Sequence, residues 1–132
     1  MTGKEKWRFK TDSNVESTPA VSADGHSLYV GSSDMFLYCL STATGLQKWN
    51  YETGGPVSGG SPVLSPDNKM VYFASWDYNV YALNTLVGLP NNGKEAVLFK
   101  AGSYINAAPL LSPDGKTLYA HSHEHIALHG GL

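Results

Sequence analysis

Apolar residues fall in short runs along the chain, separated by Gly, Asp, Asn and Pro, and no stretch has a sustained helical period. Leu28-Tyr29-Val30, Phe36-Leu37-Tyr38-Cys39-Leu40 and Val71-Tyr72-Phe73 are runs of this kind. Their length, aromatic and β-branched content and flanking turn residues predict strands. Asp24-Gly25 and Asp114-Gly115 sit between apolar runs and predict tight hairpins, because such turns need positive φ where Gly is unstrained. Asp67-Asn68 occupies the same place in the middle of the chain, Asn tolerating the left-handed region better than most residues. The first unit reads as four strands near residues 18–22, 27–32, 36–40 and 48–51.

The pattern repeats. Residues 3–32 placed over 93–122 match without a gap at Gly3-Lys4-Glu5, Phe9-Lys10, Pro19, Ser22, Asp24-Gly25, Leu28-Tyr29 and Ser32. Chance would give about two identities over such a stretch, so this is a true repeat at the spacing of propeller blades. A middle copy begins at Thr44-Gly45, where Lys48-Trp49 repeats Lys6-Trp7, and continues through Pro62, Asp67, Tyr72, Asp77, Tyr81 and Leu83. The chain is thus one domain, 1–132, of three units at approximately 2–43, 44–91 and 92–132. Residues 87–92 lengthen one turn, the least costly place for an insertion.

Neighbouring side chains on a strand point to opposite faces, yet Leu28, Tyr29 and Val30 are all apolar, as are Val71, Tyr72 and Phe73. Sheets apolar on both faces must be covered on both faces. Blades packed around an axis satisfy that need. The fold class expected is all-β, a partial β-propeller of about three four-stranded blades. Three blades cannot close a ring, so the array needs further blades of a longer polypeptide or another copy of itself. The segment 7–11 is expected to be an outer strand, and the last strand of the third unit to be degenerate or truncated.

Composition narrows the function classes. A net charge of −2 supplies no basic field for nucleic acid, and no apolar run approaches the ~18 residues of a membrane-spanning helix. The N-terminal residues lack the apolar core of a signal peptide. The single cysteine, Cys39, cannot form an internal disulfide and is expected to be a buried, inert thiol.

The units resemble the PQQ-like repeat of quinoprotein-type propellers. The resemblance rests on Gly3-Lys4-x-x-Trp7-x-Phe9-x-Thr11, Ser17-Thr18-Pro19-Ala20-Val21, Asp24-Gly25, Leu28-Tyr29-Val30-Gly31-Ser32, Asp34, Leu37-Tyr38-Cys39-Leu40 and Thr44-Gly45. It implies that Trp7 and Trp49 dock one blade onto the next. Met35 and Tyr78 stand where the family places a Gly, so that turn is expected to depart from the family's form. Val97 replaces the third Trp.

The resemblance also brings in enzymes that bind pyrroloquinoline quinone with Ca²⁺ beside an adjacent cysteine pair. That pair is absent here, Asp34 and Asp77 read first as turn formers, and no cofactor is expected. No Gly-x-Ser-x-Gly elbow marks a nucleophile, and Gly54-Gly55 and Gly59-Gly60 read as flexible inter-blade turns rather than a phosphate loop. The one cluster with metal-ligand chemistry is His121, His123 and His125, which alternation on an extended strand would place on one face. The leading expectation is a non-catalytic scaffold or protein-interaction module, part of a larger propeller, with a protein partner or further blades. The alternatives are a segment of a PQQ-dependent dehydrogenase and a divalent-metal module built on the three histidines.

Overall fold

The computed structural model describes residues 3–90, 95–105, 107–122, 126–130 and 132. Among them there is no helix, and eleven strands form three antiparallel sheets. Strands β1 (Ala20–Val21), β2 (Ser27–Gly31), β3 (Phe36–Ser41) and β4 (Gln47–Glu52) build the first sheet in chain order. Strands β5 (Val63–Leu64), β6 (Met70–Ala74), β7 (Asn79–Asn84) and β8 (Val97–Lys100) build the second. Strands β9 (Leu110–Leu111), β10 (Thr117–His121) and β11 (Ile126–Gly130) build the third, which has three strands among the described residues.

The Asp-anchored hairpins explain the registers. At each first turn a Ser hydroxyl donates to the Asp carboxylate: Ser22 to Asp24, Ser65 to Asp67 and Ser112 to Asp114, at 2.6–2.7 Å. The same carboxylates accept backbone N–H groups two residues on, from His26, Lys69 and Lys116. These bonds hold all three carboxyls below the usual 3.8, the serine hydroxyl being the largest cause in each case. A depressed folded-state pKa contributes stability that is present above the unfolded value and lost as pH falls through the folded one. In a carbon-detected NMR titration, Asp24, Asp67 and Asp114 are therefore expected to titrate below exposed Glu side chains. Ser112→Ala should return Asp114 toward 3.8.

Both faces of the first two sheets are covered, as the alternation demanded. Between sheets one and two lie Tyr29, Leu37, Cys39 and Trp49 from one side and Val71, Phe73, Tyr81 and Leu83 from the other. Between sheets two and three lie Tyr72, Val80 and Ala82 against Leu118, Ala120 and Ile105. The remaining face of sheet one, Val30, Tyr38 and Leu40, is covered by Trp7 and Phe9.

Three local expectations change. Residues 7–11 carry no ladder, because no neighbouring strand stands beside them among the described residues. The last strand of the third unit is a full five-residue ladder. Its register pairs His121 with Ile126, where the first sheet pairs Gly31 with Leu37, so only the turn is one residue shorter. The β2–β3 and β6–β7 turns keep a left-handed backbone despite lacking Gly, Met35 at φ 79° and Tyr78 at φ 76°. A side chain there costs about 1 kcal/mol, so exposed Met35→Gly is expected to raise stability by about 0.5–1 kcal/mol in urea unfolding.

Candidate functional site

A trio of Trp, Gly and Asp docks the first sheet onto the second and recurs where segment 3–11 meets the first sheet. Trp49 projects from β4 across to the next sheet, where its indole N–H donates to the Thr85 carbonyl at 2.8 Å. Gly88 lies under its ring with φ 65°, so a side chain there would be both strained and driven into the indole. Trp7 makes the same bond to the Thr42 carbonyl at 2.7 Å, over Gly45 at φ 73°. The docking role implied for both tryptophans is what the geometry displays. Trp7 and Phe9 thus hold segment 3–11 against the first sheet without a ladder.

Asp34 and Asp77 are clasps as well as turn formers. Asp77 accepts from the Tyr81 hydroxyl in a short bond, from the Asn79 N–H at 3.0 Å and from the Gly54 N–H at 2.9 Å. Gly54 belongs to the segment leaving the previous sheet, so the carboxylate ties two blades together. Asp34 repeats the set with Tyr38, Phe36 and Asp12. Burial and the Asp77 hydrogen bond together push the Tyr81 phenol up to about 12. Each of these carboxylates accepts three hydrogen bonds that hold the fold together.

The Gly-rich segment is not a free turn. Gly60 presses on the Ala107–Ala108 backbone so closely that a Cβ has no room, and its carbonyl accepts from Ser17 at 2.8 Å. Gly55 also lies close to the Trp76–Asp77 backbone, where a Cβ would come within 2.9 Å of the Asp77 nitrogen. Nothing in the sequence distinguishes these glycines from flexible ones; only the approach of the next blade does. Cys39 is fully buried, and burial raises its thiol above the usual value, which suits an inert core residue.

His121 is exposed and closes β10, while His123 and His125 lie outside the described residues. No group of three His, Cys, Asp or Glu among the described residues is arranged to hold a metal. The chain has one cysteine rather than an adjacent pair, and Asp34 and Asp77 are tied into the clasps.

The third sheet differs from the others in its exposure. Tyr29 and Tyr72, which face the following sheet, are 2% and 5% exposed, whereas the equivalent Tyr119 is 40% exposed and neighbouring Leu110 68%. One face of the array is open among the described residues.

Three sheets stacked face to face, the first docked on the second by Trp49, Gly88 and Asp77 and the second on the third by apolar packing, define a β-propeller segment of PQQ-like blades. The chain belongs to the PQQ-like repeat family described as outer membrane protein assembly factor BamB, whose model matches residues 1–128. No curated protein matches it. Among solved structures it is similar to BamB from Moraxella catarrhalis, at 22% identity and a TM-score of 0.78, over 98% of this chain and 41% of that one. It is also similar to the computationally designed Ika4 protein, at 16% identity and TM-score 0.77, over 99% of this chain and 75% of Ika4. The designed Ika8 protein gives 15%, 0.70, 91% and 34% for the same quantities. At these identities the likeness is one of fold. The chain spans about two fifths of the Moraxella protein's length.

Proposed function

We propose that this chain is a non-catalytic part of a larger propeller, serving as a scaffold or protein-interaction module. The observation that carries the reading is the open face of the third sheet, where Tyr119 is exposed although its counterparts are buried between blades. An exposed apolar face of this kind marks an interaction surface. Further blades of the same polypeptide are its natural cover, since each existing junction is already blade on blade. A family described by an assembly factor agrees with a role in holding proteins together.

The non-catalytic half of the reading is supported by the fate of the chemically able residues. Asp34, Asp77, Trp7 and Trp49 are committed to blade docking, and Cys39 is sealed in the core. Titration with pyrroloquinoline quinone and Ca²⁺, followed by a dye-linked alcohol and sugar assay, tests it. No saturable binding and no turnover are expected. Stoichiometric quinone binding with turnover overturns the proposal in favour of a dehydrogenase segment.

A further inference from the structure

The repeat supplies its own control for what is unusual at each junction. Where sheets one and two meet, Phe73 is 1% exposed, stacks on Tyr81 at 5.2 Å and meets Tyr51 edge-on at 6.5 Å. Where sheets two and three meet, the register places Ala120 at the position of Phe73 and Ala127 at that of Tyr81. At Ala120 the ring of Phe73 is replaced by a methyl group. The junction is hollow there, with a cleft of about 190 Å³ lined by Phe99, Ala101, Ile105 and Ala120.

The rim changes with the floor. Lys100 stands where the first junction has Glu52, and His121 where it has Ala74, and both line the cleft. Lys100 makes no ion pair among the described residues. Beside the mouth, Tyr104 packs against Trp76 at 5.4 Å and Tyr78 at 5.1 Å, with Trp76 40% and Tyr104 47% exposed. The corresponding turn in the first sheet carries Ser33 and Met35. Tyr78 holds its place in a left-handed backbone, and its carbonyl accepts from the Ala101 N–H at 2.7 Å, which joins the aromatic group to the cleft wall.

We propose that the hollow junction between the second and third sheets is a docking cleft for an extended protein segment that inserts an aromatic side chain flanked by carboxylates. The ring missing at Ala120 sets the shape of the anchor. The replacement of Glu52 by Lys100 sets the charge beside it. Exposed Trp and Tyr at the mouth supply the kind of contact that dominates binding energy at interfaces. This deepens the interaction-module reading and rests on it.

The probe is the blocked tripeptide acetyl-Asp-Phe-Asp-amide, titrated into the ¹⁵N-labelled chain and followed by NMR. Saturable shifts at Ala101, Ala120 and His121 are expected, at least fivefold weaker for acetyl-Asp-Ala-Asp-amide and for acetyl-Lys-Phe-Lys-amide. Ala120→Phe refills the cleft and is expected to remain folded while losing the shifts. Lys100→Glu should weaken binding about fivefold without altering the spectrum elsewhere. Absence of saturation at millimolar peptide, or equal binding by Ala120→Phe, overturns the cleft. Because the open Tyr119 face is separate, that failure leaves the scaffold reading to stand or fall on the solution mass of the chain.

Discussion

Trp49→Ala is expected to destabilise the chain by about 3–5 kcal/mol, the usual range for truncating a large buried aromatic. The indole is 8% exposed, packs on Tyr29 at 5.9 Å, covers Gly88 and donates its N–H to Thr85. Removing it opens a cavity between two sheets and leaves the Thr85 carbonyl without its partner. Trp49→Phe keeps most of the apolar contact and loses the hydrogen bond, so it should cost about 1–2 kcal/mol. Urea unfolding, with the slope checked for constancy, separates the two losses. Trp7→Ala should cost less than Trp49→Ala, since Trp7 is only partly buried and stands on a segment without a ladder. Equal effects at the two positions would show that segment 3–11 is held as firmly as a true strand.

Gly60→Ala is expected to be nearly as damaging, about 3 kcal/mol, although it adds one methyl group in a segment without regular structure. A Cβ at that position meets the Ala107–Ala108 backbone, which belongs to the entry of the next blade and has no rotamer with which to yield. Gly54→Ala is the control. There a Cβ comes no closer than 3.3 Å, to the side chain of Asp77, and less than about 1 kcal/mol is expected. Thermal unfolding by circular dichroism of both variants tests the contrast. Similar midpoints for the two would mean that the blade entries are more loosely packed than the structure describes.

These two sites mark where the sequence is legible and where it is not. The docking role of Trp49 came from the resemblance to the PQQ-like repeat, and burial of a bulky indole was the reading its recurrence at blade spacing supported by itself. The hairpins at Asp24, Asp67 and Asp114 were legible directly, their turn chemistry being local. Gly60 was not legible. A glycine needed for close approach and one needed for freedom look identical until the neighbouring blade is in place. Met35 and Tyr78 misled in the opposite direction, since backbone hydrogen bonds from Thr53 to the Met35 carbonyl and from Ala101 to the Tyr78 carbonyl hold turns whose local preference these residues oppose. The final strand looked truncated because residues were counted from the turn. Its ladder is anchored instead by Tyr119 opposite Leu128, which a linear alignment does not see. The candidate metal ligands fall at the boundary of what the structure describes, with only His121 inside it. The hollow second junction was also missed, although Ala120 opposite Phe73 in the repeat was its visible signal.

The central claim is that the third sheet presents a blade face made to be covered. Light scattering of the isolated chain across a range of concentrations, beside Tyr119→Lys, tests it most directly. The account predicts a mass above that of one chain, rising with concentration, and a monomer for the lysine variant. A discrete dimer abolished by the same substitution would identify the cover as a second copy rather than further blades. A cooperatively folded wild-type monomer at every concentration would contradict the account, because the face would then need no cover at all.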